Sequence, residues 1–392
     1  MSWATIRGET KDGRRIHSKY VALHSRAGFE RLKIEGQASH LTVKWERPPQ
    51  DSLGLRTMYL TAGMQCFGVQ HTSSLAGDVL IAGRYDIKDF DELAGQIDIV
   101  SKRRQSLRSW LKRCDDTVQQ LLGLISLANG KATDWSIRHV VHDARTGDKK
   151  KIIITDLDGP KGAGRPQDGV GHFLNLKPWI DLAVTRYTKR LRRSTGIDVA
   201  IHWLLFHPRY LEFQLLAAVT ALEHLVAKYS KRGRGPKLVN PRSFASVRRR
   251  FEPELAALLR RARRRANNNA VKGIEQLGNK LRGANQAPFQ ARLRGMLHFY
   301  AVPLEGIDNK IADAIAARNR IVHTGRYHED GFHELYEHVV VLRELLKRII
   351  LTLLRYAGQY HTMLNGSENR AFPPKDLKFE SQATNKRRAN SR

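Results

Sequence analysis

The spacing of apolar positions along the chain changes near residue 176. Before it, apolar residues fall in short alternating or β-branched runs: KYVALHS, ERLKIEG, HLTVKW, RTMYLT, QCFGVQ and DVLIAG, separated by Gly, Pro and Asp. Period-two alternation bounded by turn residues predicts half-buried strands. DDTVQQLLGLISLAN predicts a helix over residues 115–129, with acidic residues in its first turn and Gly130 just past its end. WSIRHVVHD and KKIIITDL predict a further hairpin, turned by RTGDK. The Gly-rich segment at 159–171, GPKGAGRPQDGVG, matches neither a P-loop nor a dinucleotide loop, because Gly162 and Gly164 lack the required spacing; it reads as a surface loop.

After residue 176 the period becomes helical. PWIDLAVTRYTKRLRRS is amphipathic, and from Gly196 apolar positions recur at helical spacing to about residue 357. Phe332, Leu335, Val339, Leu342, Leu346, Ile349 and Leu353 alternate steps of three and four, which predicts a seam facing other helices. From Gly366 onward two adjacent prolines and the run KRR predict a disordered basic tail. The expected fold class is α+β: a strand-rich mixed domain over 1–175, an all-α helical bundle over 176–365, and a tail over 366–392. No internal repeat is apparent.

Composition adds a partner. At 392 residues with 41% hydrophobic residues the chain can build two or three cores. Its 68 Lys plus Arg against 38 Asp plus Glu leave a formal charge of +30. Such a surplus points to a polyanion, nucleic acid or an acidic surface. Cys66 and Cys114, the two cysteines, show no metal-site spacing, so neither a disulfide framework nor a metal cluster is expected. MSWATIRGETKDGRR lacks the apolar centre of a signal peptide, and no stretch reaches the roughly 20 apolar residues of a membrane span. The expectation is a cytoplasmic protein with no membrane partner.

The candidate chemistry sits in GIDNKIADAIAARNRIV. On a helix, Ile307, Ile311, Ala314, Ile315, Ile321 and Val322 share a stripe about 120° wide, with Arg318 in its middle. A guanidinium on a core face is costly unless paired. Glu223, flanked by Leu216, Val219 and Val226 on the helix YLEFQLLAAVTALEHLVAKYS, is the expected partner. In that helix Leu211, Leu215, Ala218, Leu222, Val226 and Tyr229 form the expected core stripe. His323 lies five positions after Arg318, about 140° round a continuous helix. Thr324-Gly325 predicts a helix end there, which would let His323 swing back; otherwise it meets its partner across a subunit interface. Asn319 can hold a phosphate oxygen or orient the imidazole. Arg with His suits metal-free RNA cleavage: the neutral imidazole takes the 2′-hydroxyl proton while the guanidinium stabilises charge on the phosphorane.

Other candidates are weaker. His333-Glu334-Leu335-Tyr336-Glu337-His338 misses the zinc-protease spacing by one residue, so no metal site is expected. Trp110, Trp135, Trp179 and Trp203 read as core. Lys231, Arg232 and Arg234, then Arg248, Arg249, Arg250, Arg260, Arg261, Arg263, Arg264 and Arg265, form a dense basic segment that suits phosphate contacts.

Ala221-Leu222-Glu223 followed by Arg318-Asn319-x-x-x-His323 resembles the HEPN superfamily, specifically the HEPN domain of ApeA-like bacterial proteins, over roughly residues 200–357. More faintly, LLGLISLANGK followed by a strand is similar to the N-terminal domain that accompanies such modules. The resemblance implies a four-helix-type bundle, usually dimeric, acting as a metal-independent RNA endonuclease without cofactor. Arg318, Asn319, His323 and Glu223 are then the site residues, antiphage defence the setting, and tRNA an expected target. The alternative is a non-catalytic nucleic-acid-binding or assembly module in which Arg318 and Glu223 form a core ion pair.

Overall fold

The computed structural model describes residues 2–9, 15–27, 32–44, 55–62, 64, 66, 68–83, 93–102, 106–142, 152–158, 169–171, 175–328 and 331–374. The class is mixed α+β. The chain divides into two compact units, one of Met1–Arg193, Ile201–Arg209 and Leu354–Arg392, the other of Ser194–Ala200 and Tyr210–Leu353.

The first unit is built on one antiparallel sheet. Its described strands are β1 (Ser2–Glu9), β2 (Arg15–Ala27), β3 (Leu32–Lys44), β4 (Leu55–Ala62), β5 (Val69–Ser73), β6 (Asp78–Ala82), β7 (Leu93–Val100), β8 (Trp135–His142) and β9 (Ile152–Asp158). They are ordered β1-β2-β3-β9-β8-β4-β7-β6-β5. The expected hairpin forms, with Ile137 opposite Leu157 and His142 opposite Ile152; its turn lies outside the described residues, as does most of the Gly-rich segment. ERLKIEG and HLTVKW, read as separate strands, belong to the single strand β3. Alternation sorts the sheet's two faces: Thr57, Tyr59, Val79, Ile81, Ile97 and Ile99 are buried.

Helix α1 runs over Leu107–Asn129, eight residues earlier than its acidic start suggested, because Ser106 caps it by accepting from the Ser109 N–H. Gly130 ends it in the left-handed conformation (φ 66°), as expected. Trp110, Cys114, Val118, Leu121 and Ile125 are among its buried residues, and the Trp110 indole donates to the Ala76 carbonyl at 2.8 Å. Trp110 and Trp179 are therefore core residues.

The expected boundary at 175/176 falls inside this unit. Helix α2 (Lys177–Thr185) packs on α1, and the ring of Trp179 stacks on Tyr356 at 4.6 Å. Nor does a tail begin at residue 366. β10 (Gly358–Thr362) pairs antiparallel with β11 (Glu368–Phe372), and the His361 N–H donates to the Val170 carbonyl. Residues 375–392, including KRR, lie outside the described residues. The helices α3 (Lys189–Thr195) and α4 (Ile197–Leu205) each have residues assigned to both units.

The second unit is helical: α5 (Leu211–Tyr229), α6 (Pro241–Arg264), α7 (Asn268–Gly283), α8 (Phe289–Tyr300), α9 (Ile311–Thr324) and α10 (Phe332–Leu354). Tyr229 fastens α5 to α8, contacting the Gly295 carbonyl at 3.2 Å and the rings of Phe299 and Tyr300. α10 is buried on every side from Val341 to Thr352. Its expected seam is buried from Leu335 to Ile349, whereas Phe332 is exposed in the first turn and Leu353 is only half-buried. Glu344 and Arg348 are also inside, only 2% and 4% exposed, and their ion pair measures 2.7 Å. Arg348 further donates to the carbonyls of Pro303 (3.2 Å) and Glu305 (2.7 Å), tying the loop before α9 to α10. Sequence reading missed this pair because i,i+4 charges on a helix normally mark a solvated face.

Candidate functional site

α9 is laid down by the stripe that its sequence shows. Ile311, Ala314, Ile315, Ala317 and Ile321 are buried, but Val322, expected among them, is exposed. The core covers that face as far as Ile321 and leaves Val322, at its other edge, open. Arg318 sits at this transition. Its side chain is 26% exposed, so it is not a core residue as the stripe alone implied.

The expected partner is in place. Arg318 Nη2 donates to Glu223 Oε1 at 3.0 Å, and Nη1 donates to Asn319 Oδ1 at 3.1 Å. Glu223 is 43% exposed. Two acceptors on different nitrogens fix the plane of the guanidinium. Its Nε is buried and has no hydrogen-bond partner among the described residues. Of the expected α5 core stripe, Leu215, Ala218, Leu222, Val226 and Tyr229 are buried, while Leu211 is only half-buried.

His323 is not brought to Arg318 within the chain. α9 continues to Thr324 and closes at Gly325 (φ 80°), whose N–H bonds the Ile321 carbonyl. The helix therefore does not stop early enough for His323 to swing back. The imidazole stays about 140° round the helix from Arg318 and is exposed. On its own side, about 60° away, lies Arg320.

That side opens on a cleft of ≈ 790 Å³ lined by Arg320, Thr324, Arg326, Tyr327, His328 and Glu334. Arg320 lies over the Tyr327 ring at 5.6 Å and contacts the His328 imidazole. Burial, then a hydrogen bond with Glu334, raises the Tyr327 phenol above its ordinary range. The sequence presents Thr324 only as a helix end and Glu334 only in the near-miss zinc motif, and does not bring these residues together as a cleft; the one signal is the density of Arg and His around the helix end.

The basic segment is exposed. Lys231 and Arg232 lie on a π-helical turn, Ser230–Arg234, that closes α5. Arg249, Arg260 and Arg264 lie on the side of α6 opposite its apolar positions Phe244, Val247, Phe251, Leu255, Leu258 and Ala262, with Arg250 and Arg261 on the flank. Arg263 is ion-paired with Glu275 of α7 (3.3 Å), and Arg248 with Glu252 (2.9 Å); Arg265 follows the helix end.

The near-miss zinc motif sets His333 Nε2 3.4 Å from a Glu337 carboxylate oxygen and His338 Nε2 3.6 Å from one of Glu334, within α10's first turns. Among the described residues no group of three or more His, Cys, Asp or Glu side chains is placed to hold a metal ion, and no helix is long and apolar enough to cross a membrane. Compared with protein-family models, with curated proteins and with solved structures, the chain matches none.

Proposed function

We propose that the helical unit is a metal-independent RNA endonuclease of the HEPN type that works as a homodimer. The observation that carries this reading is Arg318: a guanidinium at the edge of the core, oriented by Glu223 and Asn319 rather than sealed among apolar side chains. In the proposed reaction His323 accepts the proton of a ribose 2′-hydroxyl. The 2′-oxygen attacks the adjacent phosphorus, the 5′-oxygen of the next nucleotide leaves and takes a proton from water, His323 returns its proton to the solvent, and a 2′,3′-cyclic phosphate remains. Arg318 stabilises the charge that develops on the phosphorane oxygens.

Because α9 holds Arg318 and His323 on different sides, the reading requires the partner subunit's His323 to complete the site. The open edge of the apolar face at Val322 supports α9 as the contact between protomers. The exposed arginines of α6 supply the phosphate track, in keeping with the +30 charge. The resemblance to ApeA-like proteins points to antiphage defence, which makes tRNA the first substrate to test.

The test is cleavage of total RNA and tRNA by the full chain in EDTA, with the product ends identified. Cyclic phosphate ends, lost in both Arg318→Ala and His323→Ala, support the reading. Strict dependence on Mg²⁺ or Mn²⁺ overturns the mechanism. Loss in Arg320→Ala but not in Arg318→Ala moves the site to the cleft on the His323 side. Persistence of every RNA phenotype in His323→Ala favours the non-catalytic module, for which the Arg318–Glu223 pair is merely structural.

A further inference from the structure

The hairpin of α6 and α7 presents two unlike sides. The two helices are joined by residues 265–267 and pack on each other, so they run antiparallel. Round α6, Phe244, Leu255, Leu259 and Ala262 form one edge of the apolar arc and are buried or half-buried, which turns that edge to α7. Val247, Phe251 and Leu258 form the other edge and are 47%, 53% and 46% exposed. They line up over roughly 16 Å of helix. Leu277, on the flank of α7's apolar arc, is 53% exposed and falls on the same side of the pair. The Arg263–Glu275 ion pair crosses between the helices on the opposite side.

Cations border the open row. Arg250 and Arg261 follow it on the outer flank of α6, and Lys280 on that of α7; all three are exposed. Glu254 is the one carboxylate of the hairpin on this side, since Glu252 and Glu275 fall on the other. A second copy would set these cations against its own, at a Coulombic cost. An anionic lipid surface matches both features: half-exposed apolar side chains enter the acyl boundary, while guanidinium and ammonium groups meet the headgroup phosphates. An amphipathic hairpin lying on a surface needs no helix able to cross a membrane. The sequence expectation of no membrane partner, drawn from the lack of a spanning segment, therefore does not reach it.

We propose that the α6–α7 hairpin docks on an anionic membrane surface, inserting Val247, Phe251, Leu258 and Leu277 and setting Arg250, Arg261 and Lys280 on the lipid phosphates. Arg249, Arg260 and Arg264, on the opposite side of α6, stay clear of the surface and available to RNA. The inference does not depend on the nuclease reading, because no cleavage is measured.

Sedimentation of the full chain with vesicles of phosphatidylcholine alone, and of equimolar phosphatidylcholine and phosphatidylserine, tests the contact. Binding should require phosphatidylserine, and Phe251→Ser with Leu258→Ser should weaken it roughly tenfold or more. Both side chains are exposed, so the melting temperature should hold. A dye reports insertion directly. Cys66 and Cys114 are buried, so a thiol-reactive nitrobenzoxadiazole introduced through Phe251→Cys labels that position alone. Its emission should move to the blue on the mixed vesicles, whereas the same dye introduced through Arg260→Cys should stay in water. The proposal is overturned if nothing binds the mixed vesicles, or if the double serine variant binds as well as the parent, which is adsorption by net charge alone. Equal responses at both dye positions overturn it too. A shift at position 251 that follows protein concentration or added single-stranded RNA instead of vesicles refutes it by giving the face to a second copy or to RNA.

Discussion

Replacing Arg318 and Arg348 by Ala should have opposite consequences, and the contrast tests whether the structure distinguishes a working arginine from a structural one. Both belong to Arg–Glu pairs in the helical unit, at 3.0 and 2.7 Å. Arg348 and Glu344 are 4% and 2% exposed, so removing the arginine takes a cation at 2.7 Å from a carboxylate that water cannot reach. Breaking such a pair costs about 3–5 kcal/mol. It also leaves the Pro303 and Glu305 carbonyls without that donor, which adds to the loss. At roughly 2–4 °C per kcal/mol for a protein of this order of size, the melting temperature should fall by on the order of 10 °C. Arg318 and Glu223 are 26% and 43% exposed, and water takes over when the pair is broken. Its loss should cost about 0–1 kcal/mol. Thermal unfolding followed by circular dichroism, alongside RNA cleavage, reads both variants: Arg318→Ala should melt nearly like the parent and be inactive. The double change Arg348→Met with Glu344→Leu should regain only part of the loss, because the two loop carbonyls stay unsatisfied. If Arg318→Ala destabilises as much as Arg348→Ala, the burial argument fails and the Arg318–Glu223 pair is the structural one.

Mixing Arg318→Ala with His323→Ala protein should restore about a quarter of parental cleavage if a two-fold dimer shares its sites, since half the dimers then carry one intact site; no recovery after verified subunit exchange refutes the shared site. RNA affinity should fall by something like 10³ between 50 and 200 mM salt if about six phosphates are neutralised. Replacing Arg260, Arg261, Arg263, Arg264 and Arg265 by Gln should flatten that slope, and an unchanged slope places the track elsewhere. Burial pushes the Cys66 thiol up to about 11 and raises the Cys114 thiol as well, so neither should be alkylated by iodoacetamide in native protein at pH 8.5, while both react in guanidinium. Rapid modification of either thiol in the folded state would contradict its burial.

Much of the fold was legible because it rests on local periodicity. The alternation in RTMYLT and DVLIAG marks β4 and β6, Gly130 marks the end of α1, and the three-and-four steps after Leu335 mark α10. The pairing of Glu223 with Arg318 was also legible, since each charge interrupts an apolar surface and each needs an opposite partner. Periodicity says which face of a helix is apolar, but not how far across that face a neighbour reaches. Only the tertiary structure decided that the core stops before Val322, which turns Arg318 from a buried ion into an accessible one. The same limit hid Glu344 and Arg348: their spacing is that of a solvated helix, and only the packing around α10 removes them from water. Strand order is likewise non-local. Nothing near Asp98 in the sequence announces that register will set it between Leu80 and Met58, with one carboxylate oxygen left unpaired.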